Sequence, residues 1–152
     1  MCRSDCICEV TGLTVTILSP ELDGHYYKPN VPLDFTVDPP DPNKTEYNLN
    51  GAGFIEIPGP INLTGIPDGD NNIIVKATDN GNEDSDSVDF FYCLGDVNKD
   101  KRVSITDIVL IALKFGSKCG DPEYDPGVDM NDDCRISISD IVIVALVFGK
   151  NC

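Results

Sequence analysis

The sequence contains no tryptophan, a single histidine and few basic side chains, with 11 lysines and arginines against 26 aspartates and glutamates. The formal net charge of −15 would repel phosphate backbones, so nucleic acid is not an expected partner. Long apolar runs are also missing. The longest, residues 141–148, has eight residues, whereas a helical membrane span needs about 20. We therefore expect no membrane-spanning helix.

Catalytic groups are scarce as well. His25 is the only histidine, and no nucleophile stands in a pattern that would pair it with a base. Neighbouring carboxylates such as Asp132 and Asp133 have no further catalytic group beside them in the sequence. The 152 residues allow one ordinary domain or two small ones, which leaves little room for a deep cleft. We expect that the protein is not an enzyme.

Cysteine, by contrast, is plentiful. Seven cysteines and two Asn-x-Thr acceptors, at Asn43 and Asn62, favour a secreted or cell-surface protein with disulfide bonds. Residues 1–10 form a Cys-rich segment, for which disulfides are favoured over a zinc site because a second half-site is missing. The pairing of its three cysteines stays open: Cys2, Cys6 and Cys8.

Residues 11–93 show the alternation of half-buried β-strands. Leu13, Val15 and Ile17 alternate with threonines, and the apolar residues of 31–37 alternate with proline and polar residues. Turn pairs such as Asn80-Gly81 separate the runs. About seven strands of this kind predict an all-β immunoglobulin-like sandwich, with a barrel as the less favoured alternative. Five further short runs complete the set, at 47–49, 54–57, 61–63, 73–77 and 88–92.

The segment 17–92 resembles the immunoglobulin-like modules repeated in prokaryotic surface proteins, a resemblance that implies a fold rather than a function. Two features leave alternatives open. The acidic stretch 79–89 is either a third cation site or, as we favour, a solvated loop. The run His25-Tyr26-Tyr27 is either a stacking platform for sugar or, as we favour, a set of side chains that pack locally. We therefore do not expect sugar binding.

The clearest signal is an internal repeat near the C-terminus. Residues 96–119 align without a gap on residues 129–152, and 14 of the 24 aligned positions are identical. A gapless match at an offset of 33 residues predicts two copies of one structural unit.

Each copy places oxygen-bearing side chains at loop positions 1, 3, 5, 9 and 12, the spacing of a calcium-binding loop. Arginine at position 7 would contribute its backbone carbonyl. The three carboxylates of a loop would repel one another without a cation, so we expect metal binding and folding to be coupled. The predicted ligands of two Ca²⁺ ions are Asp96, Asn98, Asp100, Arg102, Ser104 and Asp107, then Asp129, Asn131, Asp133, Arg135, Ser137 and Asp140.

Two positions depart from the standard EF-hand loop. Position 6 is usually glycine because the backbone turns sharply there, but it is Lys101 in the first copy and Cys134 in the second, at a backbone cost of about 1 kcal/mol each. Position 12 is aspartate instead of the longer glutamate, so the preference between Ca²⁺ and Mg²⁺ stays open.

An apolar helix is predicted after each loop, at 106–115 and 139–148, closed by Gly116 and Gly149. No amphipathic helix precedes either loop, so each copy is half an EF-hand. With the linker DPEYDPGV between them, the two copies resemble the dockerin family over residues 95–149. The resemblance implies a small all-α domain at 94–152 with two antiparallel helices related by a pseudo-twofold axis, and calcium-dependent binding to a cohesin.

In dockerins the contact residues lie at loop positions 10 and 11 and about two turns further along the helix. Here most of the corresponding residues are apolar, so the cohesin should present an apolar surface, and two equivalent sets would permit two opposite orientations. Both predicted helices are apolar all round, whereas a helix needs only one apolar stripe to pack within its own domain. The remaining apolar face is therefore either kept for a partner or, as the alternative, buried against the sandwich. The implied partner-binding residues are Ile105, Thr106, Ala112 and Leu113, with repeat mates Ile138, Ser139, Ala145 and Leu146.

The antiparallel arrangement also suggests how the remaining cysteines pair. Cys119, past the first helix, would approach Cys134 in the second loop, and Cys152 would approach the first loop, just downstream of Cys93. We therefore predict the disulfides Cys119–Cys134 and Cys93–Cys152, which would stabilise a domain with a small core. A boundary at 93–95 leaves almost no linker, so we expect the sandwich to orient the dockerin, as X modules do in some family members.

The sequence thus predicts a calcium-dependent docking module that binds a cohesin and anchors a secreted parent protein to a scaffold or cell surface. The alternative is a structural module of a surface or stalk protein, which calcium merely rigidifies and which has no cohesin partner.

Overall fold

The computed structural model describes residues 12–152, so the predictions for the Cys-rich segment lie outside the described residues. Strands come first along the chain and two short helices follow. The elements are β1 (Thr14–Ser19), β2 (Gly24–Tyr26), β3 (Val31–Asp38), β4 (Lys44–Leu49), β5 (Ile55–Glu56), β6 (Ile61–Leu63), β7 (Gly69–Asp79), β8 (Asn82–Tyr92), α1 (Ile105–Ala112) and α2 (Ile138–Ala145).

The strands form two sheets that share one apolar core. The smaller sheet has the order β1-β3-β6 and the larger one the order β2-β8-β7-β4-β5. All pairs are antiparallel except β2 with β8, which run parallel. Leu33 of the smaller sheet and Ile73 of the larger sheet are both fully buried in the common core. The prediction of a sheet-rich N-terminal part is thus confirmed.

The acidic stretch 79–89 forms most of β8, so the prediction of a solvated loop there was wrong apart from the turn at Asn80-Gly81. The reason lies in two carboxylates that face inward near the open edge of β1. Asp84 accepts a hydrogen bond from the Val15 amide and Asp86 accepts one from the Ile17 amide, both at 2.8 Å. Inward-facing carboxylates of this kind bond to amides of an edge strand that would otherwise be unpaired, and they block the addition of a further strand.

The strand β2 was not predicted. It has only three residues, Gly24–Tyr26, and each of them is half-buried, so no alternation marks it. Its parallel pairing aligns His25 with Phe91 and brings the chain after β2 alongside the exit of β8. This placement carries residues 25–28 toward the C-terminal part of the molecule.

The C-terminal part has a second core of its own, which includes the fully buried Ile111 and Val144 of the two helices. Backbone bonds cross between the repeats: the Val103 amide donates to Lys150 O at 2.8 Å, and the Gly116 amide donates to Ile136 O at 2.8 Å. Because the start of each helix lies beside the end of the other, α1 and α2 are antiparallel. The implied arrangement is therefore present.

Both helices begin one residue before the predicted start and end earlier than predicted. Ser104 and Ser137 are the N-cap residues, and each forms a reciprocal capping box with the aspartate three positions later. After Ala112 and Ala145 the chain tightens into turns that lead to Gly116 and Gly149 respectively. The amide of each glycine bonds to the other repeat instead of its own helix. Each predicted helix is therefore three residues too long at its C-terminal end.

Candidate metal centres and docking face

The first predicted calcium loop, residues 96–107, closes around two buried carboxylates. Asp96 and Asp107, its first and last residues, are fully buried. Asp96 accepts hydrogen bonds from the amides of Asp100 at 3.0 Å and Lys101 at 2.8 Å. Asp107 reaches back across the loop to accept from the Asn98 amide at 3.1 Å. Backbone amides thus hold both end carboxylates of the loop in fixed positions.

The second loop, residues 129–140, repeats this arrangement. Asp129 and Asp140 are fully buried, and they accept from the amides of Cys134 at 2.9 Å and Met130 at 2.8 Å respectively. Tyr124 adds a contact outside the repeat, since its hydroxyl donates to Asp129 Oδ2 at 2.7 Å. This hydrogen bond is the largest cause that raises the pKa of Tyr124 to about 12.

The middle residues of each loop remain exposed and interact with one another. The Asn98 side-chain amide donates to Asp100 Oδ2 at 2.9 Å, and that of Asn131 donates to Asp133 Oδ2 at 3.0 Å. The other carboxylate oxygen of Asp100 accepts from the Arg102 amide. Residues at positions 3, 5 and 7 are therefore already linked along one side of the loop.

Lys101 and Cys134, at position 6, both adopt the left-handed conformation that usually selects glycine. Their φ values are 68° and 66°. A side chain in this region costs about 1 kcal/mol, which the rest of the loop must offset. The sharp turn of a calcium loop is therefore formed in both repeats without the usual glycine.

The donor set fits a divalent cation. Each loop buries two carboxylates, and along residues 12–152 no lysine or arginine forms an ion pair with any of the four. His25 Nε2 lies 3.0 Å from Asp96 Oδ2, but burial, the largest cause, lowers the pKa of this imidazole and so disfavours its charged form. Buried charge without a partner is unfavourable, and carboxylate, amide and carbonyl oxygens are the ligands that Ca²⁺ prefers. The loops therefore have the chemistry and the unneutralised charge that a bound cation would balance.

Both predicted disulfides are present, Cys119–Cys134 and Cys93–Cys152, with Cα–Cα distances of 5.0 and 5.8 Å. Backbone bonds accompany them, from the Cys119 amide to Cys134 O and from the Cys152 amide to Lys101 O. Asp68 lies close to the sulfurs of Cys93 and Cys152, but these are bonded to each other, so we infer no metal site there.

The residues predicted to bind a partner lie on the outer surface of the two helices. Ile105 and Leu113 are 60% and 73% exposed, and Ile138 and Leu146 are 63% and 80% exposed. Thr106, Ala112 and Ala145 are also exposed, whereas Ser139 is half-buried. The N-terminal part leaves these side chains uncovered, so the alternative of burial against the sandwich is wrong for them.

The exposed apolar surface is larger than the predicted set. Val109 and Phe115 of the first repeat are exposed, as are Val142 and Phe148 at the equivalent positions of the second. The 33-residue offset relates each pair, so the repeat itself was the signal that could have identified them. We name the exposed apolar residues of both helices and their C-terminal turns the docking face.

The run His25-Tyr26-Tyr27 packs within the molecule. Tyr26 lies edge-to-face on Phe90 at 5.8 Å between ring centroids, and its hydroxyl accepts from the Glu21 amide at 2.8 Å. His25 and Tyr27 turn toward the C-terminal part. Tyr26 thus agrees with the favoured expectation of local packing, whereas Tyr27 bonds to Gly127, 100 residues further along the chain.

A comparison with family models gives one match: residues 94–146 match the family described as Dockerin type I domain. Such domains are calcium-binding in general and come typically from secreted proteins. A comparison with curated proteins gave no match to this sequence. Among the residues that the structure describes, none belongs to a helix long and apolar enough to cross a membrane.

The solved structures that are similar to the chain include the following three. The endo-β-1,4-mannanase of Thermotoga petrophila shares 18% identity at a TM-score of 0.47, over 57% of this chain and 21% of that one. The fibronectin(III)-like modules of CbhA from Clostridium thermocellum share 18% at 0.43, over 53% and 98%. A mutant type II cohesin–X-dockerin complex from Acetivibrio cellulolyticus shares 16% at 0.38, over 92% and 97%.

This chain thus spans about a fifth of the mannanase chain, and these TM-scores are too low to establish the fold of either part. The identification depends instead on the family match and on the repeat that it covers. Residues 94–146 of this chain are a dockerin type I domain.

Proposed function

We propose that this chain is a non-catalytic pair of modules, an immunoglobulin-like sandwich at 11–93 followed by a dockerin at 94–152, which binds a cohesin-type protein module in the presence of calcium. The observation that carries the proposal is the match of residues 94–146 to the dockerin type I domain. The two-sheet architecture and the separate apolar cores support the division into two modules.

Calcium has an ordering role in this proposal. Two Ca²⁺ ions would occupy the two loops, held by the side chains at positions 1, 3, 5, 9 and 12 and by the backbone carbonyls of Arg102 and Arg135. When bound, the ions supply the positive charge that the buried carboxylates lack. Each loop leads directly into its helix: Ser104 and Ser137 are proposed metal ligands, and each is also the N-cap residue of the helix that follows. Loop order and helix position are therefore coupled to the metal.

The docking face is the proposed cohesin contact. Ile105 with Leu113, and Ile138 with Leu146, form two equivalent apolar patches on antiparallel helices. The partner would present a complementary apolar surface, because little charge lies at these positions. Two equivalent patches would also permit binding in two opposite orientations.

Through this contact the module would anchor a secreted parent protein to a scaffold or cell surface. The two disulfides support an extracellular location, since such bonds persist in oxidising compartments. We propose no nucleic-acid or sugar ligand.

The test is binding of the full chain to a panel of purified cohesin modules, measured by calorimetry in calcium and again in chelator. We expect binding to at least one cohesin in calcium only. The double variant Leu113→Asp with Leu146→Asp should lose binding by about 100-fold or more, because both patches acquire a charge that must be desolvated. A matched control is Leu18→Asp, since Leu18 is an exposed leucine of β1, in the N-terminal part and outside the docking face.

Two outcomes would contradict the proposal. The first is that no cohesin binds although the chain is folded in calcium. The second is that the double variant unfolds the protein instead of abolishing binding, which would favour the calcium-rigidified structural module.

A further inference from the structure

A short segment of the N-terminal part, residues 25–28, touches both proposed calcium loops. His25 Nε2 lies 3.0 Å from Asp96 Oδ2 in the first loop. Two residues on, the Tyr27 hydroxyl donates to Gly127 O at 2.9 Å, just before the second loop. We name residues 25–28 the bridging segment.

Lys28 completes the contact with the second loop. Its ammonium group donates to Pro126 O at 2.7 Å and pairs with Asp132 at 2.6 Å. Asp132 occupies position 4 of the loop and is not a proposed ligand, so the lysine neutralises a carboxylate that the cation would not use. On the other side, the Lys99 ammonium lies 5.9 Å from the Tyr27 ring centroid, again at position 4, here of the first loop.

The bridging segment is held firmly by the sheet from which it emerges. The Cys93 amide donates to Tyr26 O and the Gly95 amide to Tyr27 O, both at 2.9 Å, which continues the pairing of β2 with β8 up to the first loop. Burial, with Asp125 nearby, raises the pKa of the Tyr27 hydroxyl, which therefore stays protonated and able to donate at neutral pH. The backbone of the segment is thus held by hydrogen bonds to Cys93 and Gly95, which lie outside both loops.

The loops differ from this segment because their carboxylates repel one another without a cation. A contact between the fixed segment and a loop forms fully only when the loop is ordered. By linkage, any interaction made in the ordered state and lost in the disordered state adds to the affinity for the ion that orders the loop. Because one rigid segment contacts both loops, order gained at the first ion lowers the entropic cost at the second.

We propose that the bridging segment is a positioning element that strengthens calcium binding at both loops and makes the second ion bind more tightly once the first is bound. This inference rests on the calcium binding of the proposed function but does not require a cohesin partner. It assigns the N-terminal part a place in the metal-binding unit.

The test compares Tyr27→Phe with Tyr26→Phe in the full chain by calorimetric titration with calcium. Both substitutions remove one hydroxyl from one hydrogen bond of nearly equal length, but only the Tyr27 hydroxyl reaches the C-terminal part. We expect Tyr27→Phe to lower the overall calcium affinity by about threefold to tenfold, the range of one hydrogen bond, and to make the titration less steep. Tyr26→Phe should leave both features unchanged.

Thermal unfolding distinguishes positioning from a general loss of stability. If the Tyr27 hydroxyl positions the loops, Tyr27→Phe should narrow the gap between the melting temperatures in calcium and in chelator. An equal fall in both conditions, or a titration identical to that of the unsubstituted chain, would overturn the inference. Failure of the unsubstituted chain to bind calcium would instead count against the proposed function, so the two failures are separable.

Discussion

At the scale of single residues, the last aspartate of each loop combines two tasks. Asp107 and Asp140 accept backbone hydrogen bonds across the loop, and each also accepts from the amide of its N-cap serine, at 2.8 and 2.7 Å. The same carboxylate therefore closes the proposed metal site and fixes the start of the helix. Its negative charge, which no basic side chain of residues 12–152 neutralises by an ion pair, is the part that a cation would use.

Replacing the carboxylate by an amide removes the charge and also one of the two oxygens that accept backbone hydrogen bonds, so it should weaken both tasks. We expect Asp107→Asn to weaken calcium binding at the first loop by about tenfold or more, because ligand charge sets the affinity of such loops. Asp140→Asn should do the same at the second loop. Calorimetric titration would register one strong ion fewer in each variant. Asp70→Asn, at an exposed aspartate of β7, is the control, and unchanged titrations in all three would exclude Asp107 and Asp140 as ligands.

At the scale of elements, α1 and α2 are too short to be stable alone, since isolated helices shorter than about 12 residues are marginal in water. Each has a single fully buried apolar side chain, Ile111 in α1 and Val144 in α2. The capping boxes and the backbone bonds between repeats supply the remaining support. Leu113 and Leu146, at the helix ends, are in contrast mostly exposed and pack little against the core.

Because one apolar side chain of the helix is buried and another at its end is exposed, shortening each to alanine should change the free energy of unfolding by different amounts. We expect Ile111→Ala to lower the free energy of unfolding by about 2–5 kcal/mol, because it leaves a cavity in a close-packed core. Leu113→Ala, two residues away and 73% exposed, should lower it by less than about 1 kcal/mol. Denaturant titrations in calcium measure both. Comparable losses would mean that Leu113 is buried in solution and that the docking face is smaller than described.

Sequence periodicity predicted most strands and both loop–helix units, because alternation and the 33-residue repeat are local signals. It failed at the first half of β8, where Asp84 and Asp86 face inward although their charge suggests solvent. It also missed β2, whose three residues show no alternation. The contacts of Tyr27 and Lys28 join residues about a hundred positions apart, and no local pattern reports such pairs.

At the scale of the whole molecule, the N-terminal and C-terminal parts are held together by an ion pair and a disulfide bond as well as by the continuous chain. Lys150, near the end of the described chain, pairs with Asp68 of the N-terminal part at 2.8 Å. The disulfide Cys93–Cys152 returns the chain end to the boundary and closes a segment with a sequence separation of 59. The other disulfide, Cys119–Cys134, closes a much shorter segment with a separation of 15.

The difference in loop length predicts a difference in stabilisation. In the chain-entropy view, a bond that closes the longer segment restricts the unfolded chain more, by about 4 kcal/mol against about 3 kcal/mol. We therefore expect the double variant Cys93→Ala with Cys152→Ala to be less stable than Cys119→Ala with Cys134→Ala. Guanidinium unfolding in chelator measures the difference without the contribution of calcium. The opposite order would show that contacts around Cys134, in the second loop, outweigh chain entropy.

The same ring of chain, closed at Cys93 and Cys152, has a mechanical consequence. If the docking face is held by a partner while the N-terminal part is pulled, the force arrives at Cys93 and divides there. One covalent route runs forward along the chain to α1, and the other crosses the disulfide and runs backward from the chain end to α2. Traction is shared between the two helices, so the first calcium loop, which lies on the forward route, does not transmit the full tension.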